Sequence, residues 1–291
     1  MKKVDFFIVG APKAGTTSLY NYLNEHFEIE MSSQKEPDFF SDQSFKNQEL
    51  YYGKNRIDTI EKYHALFQRE DVLLRGEASV SYLFYQDVPY KISKYNPNAK
   101  IIVMLRNPID RAFSHYLMDY RLGLVSQSFD SIIQKTSKHQ NRHLFYQQYI
   151  ELGEYSKQIK RYLEVFSNEN ICIIDYEDFK NNTSDVVNTV FVFLGLENNI
   201  NSHSYLMRKH NTYSAPRNKI VRKMYSFVFV RKMLAIILPK TLIRVIRNLL
   251  FIRDKKPRIS DSTRDFLKRH FESDVIELSK LLNKDFSKWI R

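Results

Sequence analysis

The stretch FFIVGAPKAGTT, residues 6–17, decides the fold of this chain. Its apolar first half predicts a buried strand, and the turn that follows holds Gly10 and Gly15, two of the seven glycines in the sequence. A strand that passes through such a turn into a helix presents backbone N–H groups and the positive end of the helix to an anion. The stretch therefore predicts a binding site for a phosphate or sulfate group.

The turn differs from the ordinary P-loop, G-x-x-x-x-G-K-[ST], in the place of its lysine. Both glycines and the final Thr17 are kept, but Thr16 stands at the lysine position, and Lys13 comes three residues earlier. The ordinary P-loop lysine reaches the terminal phosphates of a nucleoside triphosphate. The displaced lysine favours a phosphate-bearing donor whose transferred group is not a γ-phosphate.

A chain of 291 residues can bury a full core, and we expect one α/β domain over residues 1–291. Apolar runs alternate with helical patterns, which predicts a central parallel sheet flanked by helices in three P-loop-like layers. Strands are predicted at 5–9, 72–76, 101–105 and 170–174, and helices at 16–26, 59–67, 88–95, 108–120, 155–166, 185–194 and 262–282. Ligands are then expected at the carboxyl ends of the strands.

Basic residues are concentrated between positions 217 and 258. This stretch holds thirteen Lys or Arg and one acid, Asp254, so its excess equals the +12 net charge of the whole chain. Apolar and basic residues alternate there at roughly helical spacing, which predicts a basic helical segment or lid. Three alternatives stay open: helices packed on the core, peripheral contact with an anionic membrane surface, or a face for an anionic polymer.

The sequence favours a reducing compartment. Its single cysteine, Cys172, cannot form a disulfide within the chain. Asp5 interrupts the basic N-terminus, and the apolar run after it is too short for a signal peptide, so we expect a first strand there. No window offers the roughly eighteen apolar residues of a membrane span. We expect a cytoplasmic location, with peripheral contact at the inner membrane face as the alternative that the basic stretch leaves open.

Two further motifs supply candidate site residues. IIVMLRNPIDRAFSHY, residues 101–116, has Arg106 at a strand end and Ser114 in the next helix. A guanidinium fork and a hydroxyl can clamp a phosphate. SSQKEPDFFS, residues 32–41, has Glu36 in a loop, where a carboxylate can act as general base toward an alcohol. By composition alone, a surface ion pair for the arginine and a solvated carboxylate for the glutamate remain ordinary alternatives.

Four blocks together resemble the signature of the sulfotransferases that use 3′-phosphoadenylyl sulfate (PAPS), nearest the bacterial members and the heparan sulfate type. The blocks are FFIVGAPKAGTTSL (6–19), KEPDFF (35–40), YNPNAKIIVMLRNPIDRAFSHY (95–116) and LLNKDFSKW (281–289). The resemblance implies a sulfotransferase that moves a sulfuryl group from PAPS to a hydroxyl, less readily an amine, of a carbohydrate or glycolipid. The product would be 3′-phosphoadenosine 5′-phosphate (PAP). No nucleic-acid partner is expected, since no such module is visible.

The resemblance also implies roles for single residues. Arg106 and Ser114 would hold the 3′-phosphate, Glu36 would be the general base, and Arg217 and Lys219 in a late basic loop, HNTYSAPRNK, would close over the donor. The residues at the 5′-phosphosulfate end would be Lys13, Ala14, Gly15, Thr16 and Thr17, with the hydroxyl and N–H of Ser18 as further donors.

The mechanism implied is an in-line displacement. Glu36 takes the acceptor proton as its oxygen attacks sulfur, and Lys13 neutralises charge that grows on the bridging oxygen. No metal is expected, because no His or Cys cluster has metal-ligand spacing. His115 is an alternative base, although a helix histidine turned away from the ligand is the expectation.

Some residues leave alternatives open. Many relatives carry His at the position of Asp38 and a lysine at that of Ala78, directly after Glu77, which puts the acceptor in question. A P-loop kinase or NTPase with Asp175 as its metal-holding aspartate is the main rival, and the early lysine weighs against it. A third class is a non-catalytic binder of anionic lipid or polymer through residues 217–258.

Overall fold

The computed structural model describes residues 2–48, 57–196, 215–216, 242, 250–252 and 257–291. At its centre lies a parallel sheet of five strands in the order β2-β3-β1-β4-β5. The strands are β1 (Phe6–Gly10), β2 (Ile29–Met31), β3 (Leu74–Ala78), β4 (Lys100–Leu105) and β5 (Ile171–Asp175). Two further strands, β6 (Ala215–Pro216) and β7 (Phe251–Ile252), pair antiparallel with each other. The predicted α/β class and parallel sheet are confirmed.

Helices flank the sheet, and the sequence predicted seven of those described, one of them to the residue. The described helices are α1 (Thr16–Asn24), α2 (Asp42–Gln48), α3 (Ile60–His64), α4 (Val88–Tyr95), α5 (Pro108–Leu122), α6 (Phe129–Ile133), α7 (Arg142–Tyr149), α8 (Tyr155–Leu163), α9 (Tyr176–Asn181), α10 (Thr183–Leu194) and α11 (Asp261–Leu282). Helices α2, α6, α7 and α9 were not predicted.

Two of the three inner strands, β1 and β4, are buried on both faces. All five residues of β1 are buried, and so are residues 101–105 of β4. The fit between β1 and β3 depends on Gly76, which pairs with Phe6, because a Cβ at that position would lie 2.1 Å from the Phe6 ring. Continuous apolar runs, rather than alternating ones, are what a sheet covered by helices on both sides requires.

The strand order fixes where a ligand can bind. After β1 the chain builds β2 and β3 on one side of it and then crosses to build β4 and β5 on the other. The carboxyl ends of β1 and β4 therefore meet where the direction of winding reverses. In open parallel sheets this point is the usual site of ligands.

Helix α5, which carries Ser114, is well defined at both ends. Asn107 caps its start, with Oδ1 accepting from the N–H groups of Ile109 at 2.9 Å and Asp110 at 3.3 Å. Pro108 occupies the first helical position, where a missing N–H costs nothing. Gly123 ends the helix in a left-handed conformation with φ of 73°.

The predicted basic segment over 217–258 lies almost wholly outside the described residues, and so do Arg217 and Lys219. The structure therefore gives no support to the predicted membrane contact. Within the described part of the chain, no helix combines the length and the apolar character needed to cross a bilayer.

Candidate active site

The turn between β1 and α1 is fastened to β4 and leaves N–H groups available. The N–H of Ala11 donates to Met104 O at 2.7 Å, and the N–H of Ser18 donates to Gly15 O at 2.9 Å. Gly15 has φ of 93°, which favours glycine, and it stands at the N-cap of α1. Ser18 is therefore left with its hydroxyl alone as a ligand donor. No described residue accepts from the N–H groups of residues 15–17, so these groups, at the positive end of α1, suit an anion.

Lys13 belongs to this turn, and its side chain reaches α5. Its Nζ is 3.3 Å from Met118 Sδ. The pKa of Lys13 is lowered from 10.5 to about 8, mainly by burial and also by the nearby cations of Arg121 and Arg106, against the opposing charges of Asp119 and Glu36. A desolvated ammonium beside other cations gains from the arrival of an anion.

Arg106 leaves the end of β4 and reaches the same turn. Its Nη1 donates to Lys13 O at 2.9 Å, and its guanidinium lies 4.5 Å from the centre of the Tyr176 ring. The Tyr155 hydroxyl donates to Arg106 O at 2.9 Å, and the buried Nε finds no partner among the described residues. The guanidinium is thus fixed in place, with donors left over for an anionic ligand.

The structure brings together the residues that the sequence predicts to bind the phosphate groups of the nucleotide. Lys13 contacts both the arginine at the end of β4 and Met118 of α5. Ser114, which is half-buried, precedes Met118 by four residues and so lies on the same side of α5. Residues 13–18, Arg106 and Ser114 accordingly surround the carboxyl ends of β1 and β4.

Helix α5 owes its position to buried contacts with α7. Arg111 is fully buried, and its Nη2 donates to Gln148 O at 3.1 Å and Tyr149 O at 2.6 Å. His115 Nδ1 lies 3.2 Å from the same Gln148 oxygen, and burial holds the pKa of His115 well below its usual 6.5. The histidine is engaged inside the protein, as expected for a residue turned away from the ligand.

The loop that carries Glu36 lies on the carboxyl end of β3. The N–H of Glu36 donates to Ala78 O at 2.9 Å, and the N–H of Asp38 donates to Ser79 Oγ at 3.0 Å. Glu36 and Asp38 have φ of 59° and 54°, which is uncommon for side-chain-bearing residues. The Glu36 carboxylate pairs with Lys35 at 2.6 Å and is 34% exposed, so an acceptor can reach it.

A buried carboxylate, which sequence reasoning missed, supports that loop from below. Glu77 is fully buried and accepts from the hydroxyls of Ser79, Tyr63 at 2.6 Å and Tyr82 at 3.2 Å. Burial raises the pKa of Glu77 from 4.5 to about 7, although the three hydrogen bonds oppose the shift. Asp38 is also buried, and its Oδ1 accepts from Ser81 Oγ. The alternation of polar residues at 77, 79 and 81 is the only signal the sequence offered.

Asp175, the aspartate of the rival kinase hypothesis, is already engaged. Its Oδ1 accepts from the N–H of Glu177 at 2.9 Å and so caps α9. Its other oxygen forms an ion pair with Lys288 at 2.9 Å. The carboxylate holds two parts of the chain together.

The fold is a parallel α/β architecture, and a turn suited to an anion lies where the winding of the sheet reverses. Residues 3–235 match the family model described as the sulfotransferase domain, so the chain belongs to the sulfotransferase family. The resemblance carried by the four blocks is thereby confirmed.

Named relatives are similar over much of the chain. Carbohydrate sulfotransferase 15 from Homo sapiens is 26% identical over 264 residues, which cover 73% of this chain and 47% of that protein. Bifunctional heparan sulfate N-deacetylase/N-sulfotransferase 3 from Homo sapiens is 25% identical, with 98% of this chain and 31% of that protein covered. The chain thus spans about half of the first relative and about a third of the second. A crystal structure of a sulfotransferase from Alicyclobacillus acidocaldarius matches at a TM-score of 0.73 and 29% identity, over 100% of both chains.

Proposed function

We propose that residues 1–291 form one domain that transfers a sulfuryl group from PAPS to a hydroxyl of a carbohydrate or glycolipid. The observation that carries the proposal is the contact between Arg106 and the backbone of Lys13 at 2.9 Å, since it brings two separate anion-binding elements into one site. A donor with phosphate groups at both its 3′ and 5′ positions needs two such elements. The single half-buried cysteine supports a reducing, cytoplasmic setting.

In this proposal the donor lies along the carboxyl ends of β1 and β4. The N–H groups of residues 15–17 and the hydroxyls of residues 16–18 hold the 5′-phosphosulfate, beside Ala14. Arg106 and Ser114 hold the 3′-phosphate, where a guanidinium fork and a hydroxyl suit its oxygens. Arg217 and Lys219 are proposed to close over the donor.

Glu36 is proposed as the general base. It takes the proton of the acceptor hydroxyl while the new O–S bond forms and the bond from sulfur to the bridging oxygen breaks. PAP leaves with the electron pair of that bond, and Lys13 stabilises the charge that develops on it. The exposure of the Glu36 carboxylate and its electrostatic influence on Lys13 support this division of roles.

The names of the relatives support a carbohydrate acceptor. One of them is called a carbohydrate sulfotransferase and another a heparan sulfate N-sulfotransferase. Asp38, which differs from the His of many relatives, is buried beneath the Glu36 loop. This departure therefore changes the support of the loop rather than a surface that an acceptor would touch.

Calorimetry tests the donor directly. We expect PAP to bind without magnesium and to displace ATP, because the lysine comes three residues before the position of the ordinary P-loop lysine that binds a γ-phosphate. Tight, magnesium-dependent ATP binding with no response to PAP would instead favour the kinase alternative. Radiolabelled PAPS incubated with a panel of glycans and glycolipids then identifies the acceptor.

A further inference from the structure

The C-terminal block, LLNKDFSKW at residues 281–289, lies against the donor site. Asn107, which follows Arg106, donates from Nδ2 to Trp289 O at 3.0 Å. The Trp289 ring packs on Tyr155, with centroids 6.1 Å apart, and the Tyr155 hydroxyl donates to Arg106 O. The block therefore holds the backbone from which the Arg106 side chain departs.

The same block reaches the Arg106 guanidinium through α9. Lys288 pairs at 2.9 Å with Asp175, whose side chain is fully shielded from solvent. Asp175 caps the first turn of α9, and Tyr176, the next residue, lies under the guanidinium. Since the ring stacks directly on the arginine, a shift of the α9 N-terminus moves the surface that sets the guanidinium plane.

The Lys288 ion pair is costly to break. Removing one partner of a buried pair leaves an uncompensated charge, and the protein must then move to solvate it. Lys288 is half exposed, whereas Asp175 is not exposed at all. The rearrangement therefore falls on Asp175 and on the turn of α9 that it caps.

We propose that Lys288 is a positioning residue for Arg106, because through Asp175 and Tyr176 it fixes the guanidinium that binds the 3′-phosphate of the donor. The inference rests on the proposed function, in which Arg106 has that role. It gives the C-terminal block a role at the site through its contacts with Asn107, Tyr155 and Asp175.

The chain offers a matched control within the same block. Lys284 pairs with Asp178 on α9 at 3.4 Å, and both side chains are about half exposed. Lys284→Met also removes a positive charge from the C-terminal block, and it also breaks an ion pair between that block and the α9 region. It leaves no carboxylate buried, so it should not move the start of α9.

The test compares two nucleotides that differ only in the 3′-phosphate. PAP and 5′-AMP are titrated by calorimetry into the full chain and its variants. We expect Lys288→Met to weaken PAP by about threefold or more and to leave 5′-AMP unchanged, so that discrimination between them falls. Lys288→Arg should retain discrimination, and so should Lys284→Met. A merely structural role would weaken both nucleotides alike, and that result, or unchanged discrimination, overturns the inference.

Asp175→Asn is the alternative variant for this test if Lys288→Met does not fold. Asparagine keeps the cap of α9 and leaves no uncompensated charge, but it loses the ionic attraction to Lys288 that holds this turn of the helix. We expect discrimination to fall, though by less than in Lys288→Met, and wild-type discrimination in this folded variant would refute the role of the pair. A wild-type protein that binds no PAP would refute the proposed function itself, which is a distinguishable failure.

Discussion

Lys13 has a lowered pKa and a place beside the proposed bridging oxygen, so donor binding should depend on pH. Its pKa of about 8 in the free protein means that most of its charge is lost between pH 7 and pH 9. Bound phosphate favours the charged form, so PAP affinity should fall about tenfold over that interval. Calorimetry at both pH values measures this. Lys13→Met should bind PAP more weakly and without this dependence, and a flat wild-type profile would contradict the assignment.

Glu36→Gln separates binding from chemistry. The amide keeps the shape of the side chain but cannot take a proton, so we expect PAP affinity near that of the wild type and turnover lower by about 100-fold or more. Transfer from radiolabelled PAPS to the accepted glycan measures turnover. Glu61→Gln, a change at an exposed glutamate of α3, is the control. Wild-type turnover in Glu36→Gln would remove this residue as the base.

At the scale of elements, β3 and the Glu36 loop share the buried carboxylate of Glu77. The pKa of Glu77 is raised from 4.5 to about 7, so the folded chain binds its proton more tightly than the unfolded chain does. This contribution to stability is complete below pH 4.5 and is lost as the pH rises through 7. Between pH 5 and pH 8 the loss should be about 2 to 3 kcal/mol.

Glu77→Gln tests this network, because the amide is neutral at every pH. The free energy of unfolding in urea should fall for the wild type, relative to the variant, as the pH rises from 5 to 8. Comparing the two proteins at each pH cancels the other titrating groups. A constant difference from pH 5 to pH 8 would show that Glu77 titrates normally.

Elements with long, regular patterns were predictable, and short ones were not. The sequence predicted β1, β4 and β5 because each is an apolar run followed by a turn or helix signal. It predicted β3 at residues 72–76, whereas the strand lies two residues later and has the sequence LRGEA. Strand β2 has three residues, and helices α2, α6, α7 and α9 have five to eight, too few for a period to stand out. Their formation depends on tertiary contacts, such as the Arg111 bonds at the end of α7.

At the scale of the whole molecule, the site forms from segments far apart in the chain. The turn at residues 10–17 was predictable because its chemistry is local, and the Arg106 motif because it follows a strand. The contacts of Trp289 with Asn107 and of Lys288 with Asp175 join residues more than a hundred positions apart. No local pattern encodes such pairings, so the resemblance marked the C-terminal block while its task became visible only in the fold.

Positive charge is distributed unevenly along the chain. The stretch from 217 to 258 accounts for the whole positive excess, while the rest of the chain has equal numbers of basic and acidic residues. The cations around the β1 and β4 ends are therefore a local feature and not part of a general basic surface. Their arrangement in the fold, rather than the net charge, supports the proposed binding of a doubly phosphorylated nucleotide.

The proposed support of Arg106 by residues 288 and 289 has a consequence for the order of events during synthesis. The turn after β1, Arg106 and Asp175 are all made more than a hundred residues before Lys288. The hydrophobic core also includes buried residues of α11 and Trp289, so it too is completed late. Completion of the core and acquisition of donor affinity are therefore expected to be coupled during the synthesis of this chain.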